Sequence, residues 1–466
     1  MCPISGAESR QNRGGGLDSV WRSLIPVLSL LCLGAGPFDS TYYRVRVHTD
    51  LEFARWNSGY GHTVETADVL YRLQLNLVEP SETKKVIALD ADLLAGSNLG
   101  PPHVDHERDP EGRTTLLVYR AQWRLTEYVP RTELVLGRQI YWDLLGMGGL
   151  DGASLRVRLP AHFQFTLRGG WSLRNQWSPL SPVQLQPLDS QDDYAGYIVS
   201  TGLTYTPSSE ARGRLQYRRV FDTEIENEEA GWGLQWTPFE RWSFEYVGIA
   251  DLVYGHLAET EIGITTDFDA VRARGSVQYV RPRFSHHSIW HAFAPAPFHA
   301  LDGQLDGSVG RLNLSIGGDV RQYQGMDDAR FGLWRFEPHS DDSAYGIRAG
   351  LNYGFDPGLK GRQIGIHARG TDGFGGRYGT ASMRWYHPIR RRIGGGQLSL
   401  DGMCGISYFE QNVTRLFEGH TLWTRWAFPW VLREGLSMNI TMDSIFGPDT
   451  PRHTRFGVSM KADTWW

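Results

Sequence analysis

The sequence contains few cysteines and no long hydrophobic run after its amino terminus. Cys2, Cys32 and Cys404 are its three cysteines. With the first two in a segment expected to be removed, one thiol remains, which excludes an internal disulfide framework and a zinc cluster. After residue 40 no stretch of about 18 apolar residues occurs, as a membrane-spanning helix requires. A sustained i, i+3, i+4 apolar pattern is also missing, so helical spans are excluded.

The amino terminus has the pattern of a secretory signal peptide. Arg10, Arg13 and Arg22 precede or begin the apolar stretch that runs to residue 33, and small residues occupy positions 34–36. This predicts that residues 1–36 are removed and that residues 37–466 form one mature domain. A lipoprotein signal at Cys32 is the alternative, but the preceding Leu31 is larger than the small residue expected there.

Aromatic residues make up 12% of the chain, yet its mean hydropathy of -0.37 is that of a soluble protein. A β-barrel reconciles the two values, because only every second residue of a membrane strand has to be apolar. Segments 69–77 and 436–443 alternate in this way, and turn residues recur between such segments. The pattern predicts an all-β fold, a transmembrane antiparallel up-and-down barrel of about 18–22 strands.

The last residues, 456–466, alternate apolar and polar side chains. Because side chains in a strand have a period of two, the apolar positions share one face. An ordinary half-buried strand of a soluble sheet would show the same alternation, but it has no reason to end on an aromatic residue. The segment therefore predicts the strand that closes an outer-membrane barrel, with an apolar face of Phe456, Val458, Met460, Ala462 and Trp466.

Loop lengths predict the orientation. If the carboxyl end lies at the periplasmic rim, the short turns lie on that side and the long connections lie outside. The expected turns contain Pro80, Pro130, Pro160, Pro207, Pro238, Pro357 and Pro388. The expected long connections are residues 98–113, 175–194, 285–299 and 326–343. The predicted localisation is the outer membrane of a Gram-negative bacterium.

Charged positions of each strand are assigned to the lumen, because charge on the lipid face is costly. The predicted inward arginines are Arg44, Arg46, Arg72, Arg120, Arg124, Arg156, Arg158, Arg212, Arg214, Arg218, Arg272, Arg274, Arg348, Arg369, Arg384 and Arg425. The predicted inward acidic residues are fewer, namely Asp50, Glu52, Asp90, Asp92, Glu245, Glu259, Glu261, Asp401, Asp443 and Asp463. The expected lumen wall is therefore basic, although the chain has a formal net charge of -5.

Almost all of the basic residues are arginines. Lysine occurs only at positions 84, 85, 360 and 461, and arginine supplies the other basic residues. Guanidinium matches carboxylate or phosphate groups and stays charged, so an arginine ladder would attract anions and let them move from site to site. The alternative is that the inward charges pair with one another and rigidify the wall.

Tryptophans have two interpretations. We expect an aromatic girdle at the membrane interfaces from residues at or near strand ends: Trp123, Trp142, Trp171, Trp242, Trp385, Trp426 and Trp430. A minority could stack on sugar rings inside a channel. Trp423 is the best candidate, because it shares its strand face with Arg425.

Residues 133–139 read ELVLGRQ and residues 149–156 read GLDGASLR. This stretch resembles the LGRQ…DG pattern of alginate-export-type porins. The resemblance implies an outer-membrane barrel whose arginine-lined pore passes an anionic polysaccharide to the cell surface. It is also compatible with other polysaccharide-secretion barrels and with general porins. Strict alternation places Arg138 on the face of Leu134 and Leu136, and a bulge at Gly137 is expected to turn it inward.

Catalytic motifs are missing from the sequence. The histidine run at residues 285–291 contains no carboxylate to orient a histidine and is expected to be a surface loop. No glycine-rich phosphate loop, HExxH or GxSxG motif is found. We therefore expect no enzymatic activity, no catalytic residue, no cofactor and no bound metal.

The sequence predicts a porin-like outer-membrane channel that passes anionic solutes or an acidic polysaccharide. The alternatives are a general diffusion porin for small solutes and a surface adhesin or assembly scaffold with a plugged barrel. Expected partners are outer-membrane lipid and the barrel-assembly machinery and, for export, an anionic polysaccharide and periplasmic export proteins. The slightly acidic net charge indicates no nucleic-acid partner.

Overall fold

The computed structural model describes residues 42–57, 63–80, 86–98, 114–173, 194–221, 225–281, 297–324, 343–356, 361–373, 376–393, 396–410, 418–447 and 453–465. The predicted signal peptide at residues 1–36, the histidine run at residues 285–291 and Trp466 lie outside these residues. The regular structure of the described residues is 22 β-strands. In this part of the chain no helix is long and apolar enough to cross a membrane.

The strands, in chain order, are β1 Tyr42–Asn57, β2 Thr63–Pro80, β3 Val86–Asn98, β4 Thr114–Thr126, β5 Thr132–Asp143, β6 Gly146–Arg158, β7 Phe163–Leu173, β8 Tyr194–Tyr205, β9 Ala211–Phe221, β10 Ile225–Phe239, β11 Trp242–Asp251, β12 His256–Phe268, β13 Val271–Val280, β14 Phe298–Val309, β15 Leu312–Tyr323, β16 Ser343–Gly354, β17 Gln363–Gly373, β18 Arg377–Ile393, β19 Gly396–Glu410, β20 Glu418–Arg433, β21 Leu436–Phe446 and β22 His453–Trp465.

The strands form one closed antiparallel barrel. Each strand pairs with its neighbour in the chain, and β22 pairs with β1 from Arg44↔Trp465 to Trp56↔His453. Closure matters in a membrane, because a sheet edge exposed to lipid would leave backbone groups without hydrogen bonds. The predicted fold class is confirmed, and the strand number lies at the upper end of the predicted range.

The two rims differ as the sequence predicted. The carboxyl end of β22 lies on the same rim as the short turns at residues 127–131, 159–162 and 206–210. The long connections join β3 to β4, β7 to β8, β13 to β14 and β15 to β16, all at the other rim. The first rim is therefore the periplasmic one and the second the extracellular one.

The predicted turn at Pro388 is wrong, and Pro80 and Pro238 lie in the last residues of β2 and β10. Pro388 lies inside β18, where it pairs with Ser399 of β19. Proline lacks a backbone N–H and fits a strand only where no partner needs that donor. The pairing of β18 with β17 ends at Tyr386↔Gln363, so Pro388 lies where β18 is paired on one side only. β18 continues to Ile393, and β19 begins at Gly396.

The outer face of the barrel is apolar. Ile262, Leu301 and Ile347 are 60%, 59% and 63% exposed, and many more large apolar residues share their face. A continuous apolar surface of this kind is not tolerated in water, and it matches the lipid-facing band of a transmembrane barrel. The barrel therefore spans the outer membrane, and its lumen holds the candidate site.

The strand register sorts the predicted aromatic residues. Trp123, Trp171, Trp242, Trp385, Trp426 and Trp430 lie on the outer face. Trp142 does not, because residues 139–149 have no pairing with the neighbouring wall strands. Trp385 and Trp426 lie in the middle of β18 and β20, away from the strand ends. Trp423 lies on the lumen face with Arg425, and β22 presents Phe456, Val458, Met460 and Ala462 outward.

Candidate functional site: the lumen and its inner hairpin

The register places all sixteen predicted arginines on the lumen face. It places the predicted acidic residues there too, except Glu52, whose side chain is outside the description. Three more lumen arginines were missed, Arg168, Arg321 and Arg455. The missed lumen acids are Glu133, Asp143, Glu229, Asp251, Asp267, Asp302, Asp306 and Asp319.

The prediction of a basic wall is therefore wrong, because acidic and basic residues are nearly balanced. Most predicted arginines form ion pairs. The pairs are Arg44 and Arg46 with Asp463, Arg72 with Asp92, Arg124 with Asp90 and Glu133, Arg156 with Glu133, Arg158 with Glu127, Arg218 with Glu229, Arg272 with Asp267, Arg274 with Glu261, Arg348 with Asp302, Arg384 with Asp401, and Arg425 with Asp443.

Four of the predicted arginines differ from the rest. Arg120, Arg212, Arg214 and Arg369 have no carboxylate oxygen of the described residues within ion-pairing distance. Arg212 and Arg214 follow one another on the lumen face at the periplasmic end of β9. Arg369 lies on β17 directly opposite Arg348, which is already paired with Asp302. Among the described residues these four form no ion pair, although Arg120 lies directly opposite Asp92 of β3.

One hairpin leaves the barrel wall. β4 pairs with β5 only from Ala121↔Arg138 to Thr126↔Glu133, and β6 pairs with β7 only from Leu150↔Ser172 toward the periplasmic rim. Between these points, β5 and β6 continue to pair with each other as far as Asp143↔Gly146. Residues 139–149, here named the inner hairpin, are therefore bound to neither wall neighbour by strand pairing.

The bend that leads into the inner hairpin lies at Gly137, whose φ is 111°, a conformation that favours glycine. A Cβ at this position would lie 2.2 Å from the carbonyl oxygen of Ala121 on β4. The registers with β4 and β6 run through Gly137 without a shift, so Arg138 stays on the outer face with Leu134 and Leu136. The predicted inward turn of Arg138 is therefore wrong.

Arg138 and Gln139 hold the base of the hairpin from opposite faces. On the outer face Arg138 donates from Nε and Nη2 to the carboxylate of Asp151, at 2.8 and 2.6 Å, and from Nη1 to the carbonyl of Val118. On the lumen face the Gln139 amide donates to the carbonyl of Val135 at 3.1 Å, and its oxygen accepts from Ser154 at 2.7 Å. The residues that carry the LGRQ…DG resemblance thus build the point where the hairpin bends.

The tip of the inner hairpin is bound to the lumen face of β9 and β10. Gln216 accepts from the amide of Leu144 at 3.2 Å and donates to the carboxylate of Asp143. Arg218 donates from Nη2 to the carbonyl of Leu145 at 2.8 Å while it pairs with Glu229. A Cβ on Gly231 of β10 would lie 2.7 Å from Cδ2 of Leu145, so glycine makes room for this leucine.

Arg168 of β7 fixes the hairpin from below. Its Nη1 donates to Asp143 at 3.0 Å, and its guanidinium carbon lies 4.2 Å from the centre of the Tyr141 ring. Cation–π contact and ion pair together position the β5 strand of the hairpin. Leu150 and Ser200 are 0% exposed beneath it, whereas lumen residues of a wide pore are usually in contact with water. The hairpin therefore covers part of the wall.

The covered part of the wall lies on one side of the lumen. Reaching from β6 to β10 crosses four strand spacings, or about 20 Å. A barrel of 22 strands tilted at about 40° is roughly 40 Å across between opposite backbones. The described residues of the hairpin thus narrow the lumen over β7–β10, and Arg212 and Arg214 lie on its periplasmic side.

No three His, Cys, Asp or Glu side chains of the described residues are grouped to hold a metal ion.

Replacing Gly137 with alanine is expected to destabilise the barrel by about 1–3 kcal/mol, the usual cost of one residue held in a disfavoured backbone conformation. The added Cβ would also approach the carbonyl oxygen of Ala121 at 2.2 Å. Urea unfolding in lipid vesicles, followed by tryptophan fluorescence, measures the change. Gly213→Ala is the matched control, because its Cβ would have no neighbour within 4 Å. Equal stability of the two variants would contradict the role given to Gly137.

Comparisons with known proteins show similar barrels at low similarity. No family model matches the chain, and no curated protein matches it. The crystal structure of Acinetobacter baumannii OccAB4 is 8% identical over 92% of this chain and 98% of that chain, with a TM-score of 0.43. Pseudomonas aeruginosa OccK1 (OpdK) is 12% identical over 92% of this chain and 100% of that chain, also at 0.43.

A further solved structure, the P pilus usher PapC translocation pore, is 12% identical over 90% of this chain and 99% of that chain, with a TM-score of 0.36. Values this low give no basis for transferring a substrate or a partner to this chain. Its function has to follow from its own residues.

Proposed function

We propose that this chain is an outer-membrane channel that passes anionic solutes through its lumen. The observation that carries the proposal is the set of lumen arginines without a carboxylate partner in the described structure: Arg120, Arg212, Arg214 and Arg369. A paired arginine is neutralised locally and contributes little to the potential in the pore. An unpaired guanidinium in contact with water attracts an anion without binding it irreversibly.

The separate positions of these arginines favour the passage of anions through the lumen over their retention at one site. Arg212 and Arg214 lie on β9 beside the narrowed part of the lumen, whereas Arg369 lies on the far wall and Arg120 on β4. Separate weak sites let an ion leave each one readily, which conduction requires. Paired lumen charges, such as Arg218 with Glu229 and Arg348 with Asp302, would hold the wall around them rigid.

An acidic oligosaccharide is the finer proposal within this class of solutes. Trp423 and Arg425 share the lumen face of β20, and together they offer a ring for stacking and a cation for a carboxylate. A general porin for small solutes would use the same lumen without this preference. A scaffold with a plugged barrel would carry no current.

The double substitution Arg212→Ser and Arg214→Ser is expected to lower the ratio of anion to cation permeability several-fold in planar bilayers. Two positive charges leave the wall next to the narrowed lumen, and no carboxylate of the described residues was paired with them. The ratio comes from the reversal potential in a salt gradient. An oligogalacturonate added to the same bilayer should block the wild-type current more strongly than a neutral oligosaccharide of equal length.

The matched control replaces a lumen pair together, Arg384→Gln with Asp401→Asn, because this pair contributes no net charge. Its selectivity should equal that of the wild type. Unchanged selectivity in the Arg212 and Arg214 variant would contradict the anion pathway and leave a general porin. A chain that carries no current at all would contradict both kinds of channel and favour the scaffold. Equal block by charged and neutral oligosaccharides would contradict only the finer proposal.

A further inference from the structure

The inner hairpin has two faces, and one of them is packed against the barrel wall. Tyr141 and Asp143 point toward the wall, where Arg168 of β7 contacts both and Gln216 of β9 donates to Asp143. Because side chains alternate along a strand, Trp142 lies on the opposite face of the hairpin. That face is turned away from β7–β9 and toward the open lumen. Trp142 therefore lies inside the barrel and not in the aromatic girdle at the membrane interface.

The lumen face of the hairpin carries no charged side chain. It is formed by Ile140 and Trp142 of β5 and by Met147 of β6, which pairs directly with Trp142. The charged groups at this level, Asp143 and Arg168, are largely buried on the wall side of the hairpin. A solute that passes the hairpin thus meets an apolar surface before it meets an ion.

The side chain of Trp142 is held in position without being covered. It is 73% exposed, and each Å² of apolar surface left in water costs roughly 25 cal/mol. The backbone that carries it is fixed, because Gln216 accepts from the amide of Leu144 and Arg218 donates to the carbonyl of Leu145. A solute that covers the indole ring therefore gains free energy without first having to order the hairpin.

The place of the ring inside the lumen favours a sugar over other apolar partners. A lipid chain reaches a barrel from its outer face, and Trp142 is not on that face. A pyranose has C–H groups on its flat side and hydroxyl groups around its edge, so it can cover an indole ring while its edge stays hydrated. Arg212 and Arg214, on the periplasmic side of the hairpin, can attract a carboxylate of the same molecule.

We propose that Trp142 is a stacking site for one pyranose ring of an acidic oligosaccharide, and that it gives the lumen a preference for ring-shaped over linear anions. The site is separate from Trp423, because β9, which holds the tip of the hairpin, and β20 are half a barrel apart. The inference rests on the proposed function in one respect, namely that the lumen conducts. Stacking itself depends neither on the charge of the sugar nor on Arg212 and Arg214.

Block of the single-channel current by added sugars tests the site. Trigalacturonate and the neutral maltotriose are titrated against the channel in planar bilayers. In Trp142→Ala the concentration for half block by each trisaccharide should rise about five-fold, because one aromatic contact is lost. Trp142→Phe, which keeps a ring, should retain most of the block. The relative permeability to tricarballylate, a linear tricarboxylate without a ring, should not change in either variant.

Trp123→Ala is the matched control, because Trp123 is exposed on the lipid face of β4. It should leave block by both trisaccharides unchanged. Wild-type block in Trp142→Ala would overturn the stacking site. An equal change for the trisaccharides and for tricarballylate would also overturn it, because the ring would then act only by narrowing the lumen.

The failure of this inference can be told from the failure of the proposed function. The double substitution of Arg212 and Arg214 should weaken block by trigalacturonate and leave block by maltotriose unchanged, whereas Trp142→Ala should weaken both. A wild-type channel without preference for anions would contradict the proposed anion pathway, and block by maltotriose would still test Trp142.

Discussion

Shortening the inner hairpin is expected to raise the single-channel conductance by about 1.5- to 2-fold, because conductance follows the open cross-section of a water-filled pore. Gln139 and Leu150 are directly paired on β5 and β6. A two-residue Asn-Gly turn can therefore join them in place of residues 140–149, since such a turn suits the twist of an antiparallel pair. The base formed by Gly137, Arg138 and Asp151 is retained.

The shortened chain should also become more selective for anions. Asp143 leaves with the hairpin, and Arg168 loses the carboxylate with which it pairs in the described structure. Arg168 would then join Arg212 and Arg214 as a charged group exposed to the lumen. The measurement is conductance and reversal potential in planar bilayers.

Asp143→Asn separates the two effects. It removes the charge partner of Arg168 and leaves the length of the hairpin unchanged. We expect an increased preference for anions with a conductance close to that of the wild type. A shortened chain that conducts no more than the wild type would show that the inner hairpin does not limit the pore.

The fold could be predicted because the information it depends on is local. Alternation with a period of two assigns side chains to the two faces without knowledge of the partner strand. Arg72, Arg348 and Arg425, for example, lie on the lumen face as predicted. Turn residues and loop lengths likewise predicted the range that contains the 22 strands and the difference between the two rims.

The electrostatics of the lumen could not be predicted in the same way, because ion pairs depend on the register between strands. Arg348 on β16 pairs with Asp302 on β14, two strands away, across the small lumen-facing Gly317 of β15. Asp302 and Asp306 lie in a strand interrupted by Gly303 and Gly307, which obscure the alternation. Most of the inward arginines were predicted, but many of the inward acids were not. The predicted excess of positive charge in the lumen followed from these missed acids.

The inner hairpin was missed because residues 139–143 alternate like a wall strand. The signals lie in other parts of the sequence. Gly231 and Gly233 follow one another on the lumen face of β10, where both approach the leucines of the tip. Small residues on a lumen face make room for something inside the barrel, and Leu144-Leu145 at a turn needs a place to be buried. The sequence alone does not show that the two leucines pack against these two glycines.

Gly231→Val is expected to expel the tip of the hairpin from its site on β10, and to raise the conductance toward that of the shortened chain. The Cβ would lie 2.7 Å from Cδ2 of Leu145 and 3.2 Å from Cδ2 of Leu144, and valine adds two methyl groups to it. Overpacking of this kind typically costs about 1–3 kcal/mol, comparable to the hydrogen bonds at the tip. Rapid transitions between two current levels would show that the tip still visits its site.

Gly202→Val is the matched control, because Gly202 lies on the same lumen wall and its Cβ would meet Leu215 O at 3.8 Å and Thr166 Cβ at 3.9 Å, ordinary contact distances. Its conductance should equal that of the wild type. In the shortened chain, Gly231→Val should have no further effect, since the leucines it displaces are gone and the two changes act through one contact. If it raised the conductance of the shortened chain as much as that of the full chain, it would act on the wall itself, and the tip would not rest on β10.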